Sequence, residues 1–277
     1  MDNEPSSTVL AAFGLTGSGT PLAGGTGPVF RVGDVVVKRA DDPEEVAWKS
    51  ELLAALPETG FRLARPVRAE DGGWTSEGWM ASEAVEGAHE RSRLAELVEA
   101  GRAFHEALEA IPRPGFIDRL SHRWARAHRV AWDQASIPGL RPVAPCLAEL
   151  KAQLRPVSAP CQVIHADLAG NVLFAPGLAP AILDFSPWWA PVGYAEGILL
   201  VDALLWFGAD ETAVSLIADR PDFAQMLLRG AIFRLVALNE GVQEGHPEYL
   251  REMPLFDRLA DLVASLESGR TGGPPPY

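Results

Sequence analysis

The sequence predicts an α+β fold of two lobes, with a small antiparallel sheet in the N-terminal lobe and a larger, mainly helical C-terminal lobe. Short β-branched runs separated by turn residues precede residue 86, whereas apolar residues at helical spacing dominate from Arg93 onward. A chain of 277 residues is long enough for two lobes with a substantial core. We place the lobes at residues 1–82 and 83–268, and a disordered Gly- and Pro-rich tail at residues 269–277.

Composition excludes several classes of protein. A net charge of -13 argues against nonspecific nucleic-acid binding, because phosphate backbones require a basic surface. Two cysteines, Cys146 and Cys161, are too few for a disulfide framework or a zinc site. The acidic N-terminus does not resemble a secretory signal, and no apolar run reaches the ~18 residues of a membrane span. We therefore expect a cytoplasmic protein that binds neither nucleic acid nor membrane, with its oligomeric state left open.

A glycine-rich hairpin begins the predicted sheet. Residues 29–32 and 35–38 are β-branched runs separated by Gly33 and Asp34, which is the pattern of a tight antiparallel hairpin. Three glycines precede it: Gly24, Gly25 and Gly27. Such glycines either let backbone amides approach a phosphate or simply form a flexible turn.

Lys38 ends the second strand of this hairpin, and residues 42–56 follow as a helix capped by Asp42. Glu45 on that helix is placed to point inward and pair with Lys38, which is how kinases hold nucleotide phosphates. Glu51 is a competing partner. Strands at residues 61–68 and 78–85 complete the sheet, and the main chain of Met80 and Ser82 would hold a base where the chain crosses to the second lobe.

The helical half contains three further groups of polar residues with candidate roles. His105 lies on an apolar helix face and is interpreted as a packed core histidine. Arg119, Arg123 and Arg126 form a basic ridge, either a solvated helix face or a docking surface for an anionic acceptor. Asp202 lies inside the apolar run 195–207 and must find hydrogen-bond donors, for which backbone amides near Asp167 are one source.

Residues 162–185 carry the densest group of functional candidates. His165, Asp167, Asn171 and Asp184 lie where two short apolar runs end, and both runs read as buried strands. The oxygens of Asn171 and Asp184 suit Mg²⁺ that bridges phosphates, and Asp167 could then accept a hydroxyl proton. The alternative is a single β-hairpin whose tip carries solvated turn-forming residues.

With these motifs in their order, the chain resembles the aminoglycoside phosphotransferase and choline kinase-like family, from about residue 21 to residue 206. The resemblance implies a two-lobed protein-kinase-like fold that binds ATP with Mg²⁺ and phosphorylates a hydroxyl of a small-molecule acceptor. It implies Asp167 as catalytic base, with His165 beside it in the same motif, and Asn171 and Asp184 as metal ligands. Lys38 would bind phosphate with Glu45 as its partner, and Asp202 would support the catalytic loop.

The sequence departs from the family pattern in ways that keep a second function open. The step from Asp167 to Asn171 is one residue shorter than usual, so a nucleotide-binding regulator or pseudokinase of the same fold is the alternative. The C-terminal half also has no obvious acidic cluster for a polycationic aminoglycoside. Trp188 and Trp189, which follow Asp184, instead predict an aromatic-lined acceptor pocket.

Overall fold

The computed structural model describes residues 4–22, 27–40, 42–139 and 143–270. Two compact units divide the chain: a first unit of residues 1–89 with 171–185, and a second unit of residues 90–170 with 186–277. The lobe limits predicted from the sequence stay a prediction. The last helix continues to Arg270, so the first two residues of the predicted tail are helical and residues 271–277 lie outside the described residues.

The first unit combines two helices with two small sheets. Its elements are α1 (Ser7–Ala12), β1 (Thr20–Pro21), β2 (Val29–Val32), β3 (Val35–Arg39), α2 (Pro43–Ala55), β4 (Arg62–Leu63), β5 (Pro66–Val67), β6 (Thr75–Ser76), β7 (Trp79–Glu83), β9 (Val172–Leu173) and β10 (Ala181–Ile182). The larger sheet has the order β1-β2-β3-β7-β5, with β6 also paired to β7, and all of its pairings are antiparallel.

The predicted hairpin and the helix after it are confirmed. Val29 pairs with Lys38 and Val32 with Val35 around a turn in which Gly33 has a φ of 60°, a value that glycine adopts without strain. Asp42 caps α2 by accepting hydrogen bonds from the amides of Glu44 and Glu45 at 2.9 and 3.0 Å. Local signals therefore determine these two elements.

The strand predicted at residues 61–68 is wrong as a single element. β4 pairs in parallel with β10, which also pairs with β9, whereas β5 pairs with β7 in the larger sheet. Ala64 and Arg65 lie between the two pieces. The physical reason is competition between partners: each half of the segment finds a different neighbour, which spacing along the chain does not record.

The second unit is mainly helical. Its elements are α3 (Leu94–Ala107), α4 (Arg123–Ala131), α5 (Ala144–Ala152), β8 (Gln162–His165), β11 (Pro187–Ala190), α6 (Val192–Trp206), α7 (Phe223–Gln243) and α8 (Met253–Arg270), with 3₁₀ helices at Gly115–Arg119, Glu211–Ile217 and Pro247–Glu252. β8 pairs with β11 in an antiparallel ladder from His165 opposite Pro187 to Gln162 opposite Ala190. Because β8 pairs with β11 and β10 pairs with β9, residues 162–185 do not form the single hairpin considered above.

Two glycines allow α6 and α7 to cross with their backbones in contact. A Cβ on Gly197 would lie 2.5 Å from the carbonyl oxygen of Met226, and one on Gly230 would lie 3.0 Å from the carbonyl carbon of Gly197. Both neighbours are backbone atoms, which cannot rotate away as a side chain can. The absence of these Cβ atoms brings Asp202 of α6 close to Arg234 of α7.

We expect Gly230→Ala to lower the free energy of unfolding by about 2–3 kcal/mol, because the added methyl overpacks a closed helix contact. Urea unfolding of the variant and the parent measures the difference. Gly115→Ala is the matched control, since its Cβ would meet nothing within 4 Å. Equal midpoints for the Gly230 variant and the parent would contradict the close crossing.

Among the described residues, no helix combines the length and the apolar character that crossing a bilayer requires.

Candidate active site

In the first unit, the ammonium group of Lys38 contacts the carboxylate of Asp184. Lys38 lies near the end of β3, and Asp184 follows β10, so strands from the two sheets of this unit bring the residues together. The side chains are 28% and 51% exposed, which leaves both accessible to a ligand. Lys38, predicted to bind phosphate, and Asp184, predicted to bind the metal, are therefore in contact.

The two predicted metal ligands lie on one short hairpin. Asn171 directly precedes β9 and Asp184 follows β10, and the amide of Leu183 donates to the carbonyl of Asn171 at 2.8 Å. Asp184 has a φ of 40°, in the left-handed region that non-glycine residues rarely adopt, and such strained positions cluster at functional sites. Phe185 anchors the segment because its buried ring packs 6.3 Å from that of Trp48 on α2.

The predicted pairing of Lys38 with Glu45 is corrected by the structure. Glu45 forms an ion pair with Lys49 at 2.8 Å, one turn later on α2, and each of these two side chains is only 12% exposed. Glu51 is not a partner of Lys38 either, since it accepts hydrogen bonds from Arg68 and Trp74. Lys49 is the nearer cation for Glu45, because residues four apart on one helix face each other. The sequence offered both Lys38 and Lys49 as cations and did not show which one pairs with Glu45.

The predicted nucleotide-binding loop is only partly described. Gly24 and Gly25 lie outside the described residues, whereas Gly27 is exposed and a Cβ added to it would meet nothing within 4 Å. Leu22 donates its amide to the carbonyl of Val29 at 2.9 Å, so the glycine segment connects two paired strands, β1 and β2.

Met80 and Ser82 lie within β7, which is paired along both edges. Met80 stands opposite Lys38 and Thr75, and Ser82 stands opposite Val36 and Pro66. Main-chain groups between two partner strands are largely engaged in the sheet, which argues against recognition of a base by these backbone atoms. Their role in binding a nucleotide stays a prediction.

In the second unit, His165 organises the loop that carries Asp167. Its Nδ1 accepts hydrogen bonds from the amides of Asp167 at 3.2 Å and of Ser186 at 3.4 Å, and Ala166 donates its amide to the carbonyl of Ser186 at 3.0 Å. His165 is fully buried, so its side chain is a positioning group that no acceptor can reach. The motif had suggested a catalytic role for His165 beside Asp167, and its burial instead gives it a structural one.

His105 is confirmed as a core histidine. It is 1% exposed on α3, and its Nε2 accepts the amide hydrogen of His165 at 2.9 Å. Burial, together with the nearby His165 and Arg220, lowers the pKa of His105 to about 3, so the ring is neutral at physiological pH. Two histidines in series therefore fix the end of β8 from which Asp167 projects.

Asp167, Arg234 and Asp202 form an ionic cluster that the sequence reading missed. Nη2 of Arg234 donates to Oδ1 of Asp167 at 2.7 Å, and its Nε donates to Oδ1 of Asp202 at 2.6 Å. The donors to Asp202 are therefore on Arg234, which corrects the expected role of backbone amides near Asp167. The signal that marks Arg234 is a lone charge within the apolar run AIFRLVAL.

The aromatic acceptor pocket predicted from two tryptophans is wrong for Trp188. That ring is buried and stacks on His128 with centroids 4.2 Å apart, while the His128 ring also hydrogen-bonds the hydroxyl of Tyr194 at 3.0 Å. Burial lowers the pKa of His128 well below its usual value. Trp188 is a core residue. Trp189 is half-buried, and its place in an acceptor pocket stays a prediction.

Two of the three arginines of the basic ridge pair with acidic residues of the protein. Arg123 contacts Glu244 at 3.3 Å, Arg126 contacts Glu240, and Arg119 donates to the carbonyl of Gly115. These contacts favour the interpretation as a solvated helix face that balances nearby acids.

Asn171 and Asp184 fit a metal that takes most of its ligands from elsewhere. No group of three or more His, Cys, Asp or Glu residues could hold an ion by itself within residues 4–22, 27–40, 42–139 and 143–270. Mg²⁺ commonly binds through one or two protein groups and completes its shell with water and substrate phosphates. An amide and a carboxylate on one hairpin match that requirement.

Comparison with known proteins identifies the fold. No protein-family model and no curated protein matches the chain. Among solved structures, a thermostable mutant of aminoglycoside phosphotransferase APH(4)-Ia, in a ternary complex with AMP-PNP and hygromycin B, has a TM-score of 0.60 at 15% identity, covering 92% of this chain and 96% of that one. The chain has an aminoglycoside phosphotransferase-like fold.

Two further structures agree with this result. Spectinomycin phosphotransferase APH(9)-Ia, in complex with ADP and spectinomycin, has a TM-score of 0.58 at 11% identity and covers 94% of this chain and 96% of its own. A choline/ethanolamine kinase family protein from Mesorhizobium loti has a TM-score of 0.60 at 17% identity and covers 90% and 89%. The α+β, protein-kinase-like fold predicted from the sequence is confirmed.

Proposed function

We propose that the chain is an ATP- and Mg²⁺-dependent phosphotransferase that transfers the γ-phosphate to a hydroxyl of a small-molecule acceptor. The observation that carries the proposal is the contact of Lys38 with Asp184 in a chain of this fold. Structural neighbours hold AMP-PNP or ADP together with hydroxylated compounds, which supports a nucleotide and a small acceptor here as well.

Each residue then has a defined task. Asp167 takes the proton of the acceptor hydroxyl as the hydroxyl oxygen bonds to the γ-phosphorus and the bond to the leaving ADP oxygen breaks. Its carboxylate is 44% exposed, so an acceptor can approach it. Lys38 binds phosphate oxygens, and His165 holds the Asp167 amide so that the loop keeps its conformation.

Asn171 and Asp184 are the residues that would hold Mg²⁺, which neutralises phosphate charge when bound. Asp184 in turn orients Lys38 through their ion pair. The ion pair between Lys38 and Asp184 thus orients both charged groups before the nucleotide binds.

We expect Mg²⁺-dependent release of ADP from ATP, and we expect Asp184→Asn to reduce it by about 100-fold or more because a fixed charged group is lost. A coupled ADP assay with Mg²⁺ or EDTA measures this, with water as acceptor and then with hygromycin B, spectinomycin, choline and ethanolamine. Asp34→Asn is the control in the same unit, since its side chain is wholly exposed in the β2–β3 turn.

The alternative function, a nucleotide-binding regulator, gives a different pattern in the same assay. ATP would bind without a requirement for Mg²⁺, and no ADP would form with any acceptor. That result would overturn the phosphotransferase proposal. Equal ADP release by Asp184→Asn and the parent would remove Asp184 from the site while leaving the activity in place.

A further inference from the structure

A buried guanidinium joins two carboxylates in the second unit. Arg234 donates through Nε and Nη2 to the two oxygens of Asp202, which makes this pair bidentate. The same Nη2 also donates to Oδ1 of Asp167 at 2.7 Å. One planar group therefore binds Asp202 side-on and Asp167 end-on, a geometry that a lysine ammonium cannot reproduce.

The three side chains differ sharply in exposure. Asp202 is 3% exposed and Arg234 is 8% exposed, whereas Asp167 is 44% exposed. The Asp202–Arg234 pair is thus buried and inaccessible, and Asp167 is the one member of the cluster that a substrate can contact. An exposed aspartate held by a rigid donor samples fewer side-chain rotamers than one that solvent alone surrounds.

The positive charge of Arg234 is needed to keep the carboxylates of Asp167 and Asp202 close together. Burial raises the pKa of Asp202 to about 6, against the opposing effect of Arg234, and the charge of Asp167 adds to this increase. Although burial opposes it, the two carboxylates raise the pKa of Arg234 above its usual value, so the guanidinium stays charged. Without that charge, two carboxylates would repel one another across a poorly solvated space.

The surroundings hold the guanidinium in place. Its central carbon lies 5.0 Å from the ring of Phe233, 5.8 Å from that of Trp124 and 6.0 Å from that of Trp206. The backbone contact between Gly197 and Gly230 fixes the separation of the helices that carry Asp202 and Arg234. Packing and hydrogen bonds together leave Arg234 little freedom to move.

We propose that Arg234 is the positioning residue for Asp167: anchored on Asp202, it holds the carboxylate that accepts the acceptor's proton in one orientation. The role rests on the proposed phosphotransferase function. Misplacing a reacting group by about 1 Å can cost roughly 100-fold in rate, so loss of Arg234 should lower kcat by about that factor. The KM for ATP should change little, because Arg234 acts on the base.

Two variants separate orientation from stability. Arg234→Lys keeps a positive charge but loses the fork that reaches both carboxylates. The double variant Arg234→Met with Asp202→Leu removes the anchor as a pair, which avoids leaving an unpaired buried charge. For both variants we expect Mg²⁺-dependent ADP release, with water as acceptor, to fall about 100-fold in kcat with the KM for ATP within about twofold.

The matched control is a second bidentate pair of the same unit, between Glu196 on α6 and Arg220, which precedes α7. Arg220 donates through Nε and Nη2 to Glu196, whose side chain is 1% exposed, and the contact of Arg234 with Asp167 involves neither residue. Arg102 also donates to Glu196, and in the double variant it keeps Asp219 as an acidic partner. Arg220→Met with Glu196→Leu should retain kcat. If this control loses as much kcat as the Arg234 variants, or if the Arg234 variants retain kcat, the positioning role is overturned.

A readout independent of turnover tests the contact itself. In ¹⁵N spectra of the arginine side chains, Asp167→Asn should shift the Arg234 guanidinium signals, whereas Asp219→Asn should shift those of Arg102, its partner at 2.8 Å. Unchanged Arg234 signals would overturn the inference. Absence of ADP release from the parent chain with every acceptor would instead remove the proposed function, and this role with it, even if the signals shift.

Discussion

Asp167→Asn should lower Mg²⁺-dependent ADP release by about 1,000-fold, because an amide cannot accept the hydroxyl proton and general-base catalysis typically contributes 10²- to 10⁴-fold. The amide oxygen can still accept the hydrogen bond from Arg234, and the loop amide still donates to His165. The fold and the binding of ATP should therefore persist. Steady-state kinetics and a fluorescent ATP-analogue titration measure the two quantities separately.

Asp219→Asn is the control for this substitution. Asp219 is also an exposed aspartate of the second unit that pairs with an arginine, since Arg102 donates to it at 2.8 Å, and its side chain is 62% exposed. Turnover should stay within about twofold of the parent in that variant. Parent-like turnover in Asp167→Asn would remove the catalytic base from the mechanism.

The elements that the sequence predicted well are those determined by neighbours along the chain. The β2–β3 hairpin follows from β-branched runs around Gly33, and α2 follows from the Asp42 cap. Apolar spacing and capping act over a few residues, so a sequence records them directly.

Pairings between distant segments were harder to predict. The contacts of Lys38 with Asp184 and of Arg234 with Asp167 span 146 and 67 positions, and several carboxylates compete for each cation. β11 was missed because Trp188 and Trp189 were interpreted as pocket residues, whereas the pairing of Pro187–Ala190 with β8 makes this segment a strand. Residue types indicated which groups form the candidate site, and only the fold selected their partners.

Acid should destabilise the protein through His105. Its pKa is about 3 in the folded chain, because burial disfavours the charged ring, against an ordinary value of 6.5. The unfolded chain therefore binds a proton below about pH 6.5 that the folded chain does not bind until about pH 3. Stability present above pH 6.5 is lost on acidification, at about 1.4 kcal/mol per pH unit and on the order of 5 kcal/mol in total.

His105→Gln isolates this contribution. The amide oxygen can accept the hydrogen bond from His165 without titrating, so urea unfolding should show about 2 kcal/mol less loss between pH 7 and pH 5 in the variant than in the parent. His128, which is also buried, is present in both proteins and cancels in the comparison. His89→Gln, at an exposed position, should leave the pH dependence as in the parent.

Protonation of His105 in the folded chain, which requires about pH 3, should also affect activity, because a charged His105 makes Nε2 a donor that faces the donor amide of His165 at 2.9 Å. Repulsion there would displace the end of β8, from which Asp167 projects. Activity after brief exposure to about pH 3 should therefore survive better in His105→Gln than in the parent. If the two proteins lose stability in parallel between pH 7 and pH 5, or lose activity equally after exposure to about pH 3, the buried histidine does not set the acid limit of this fold.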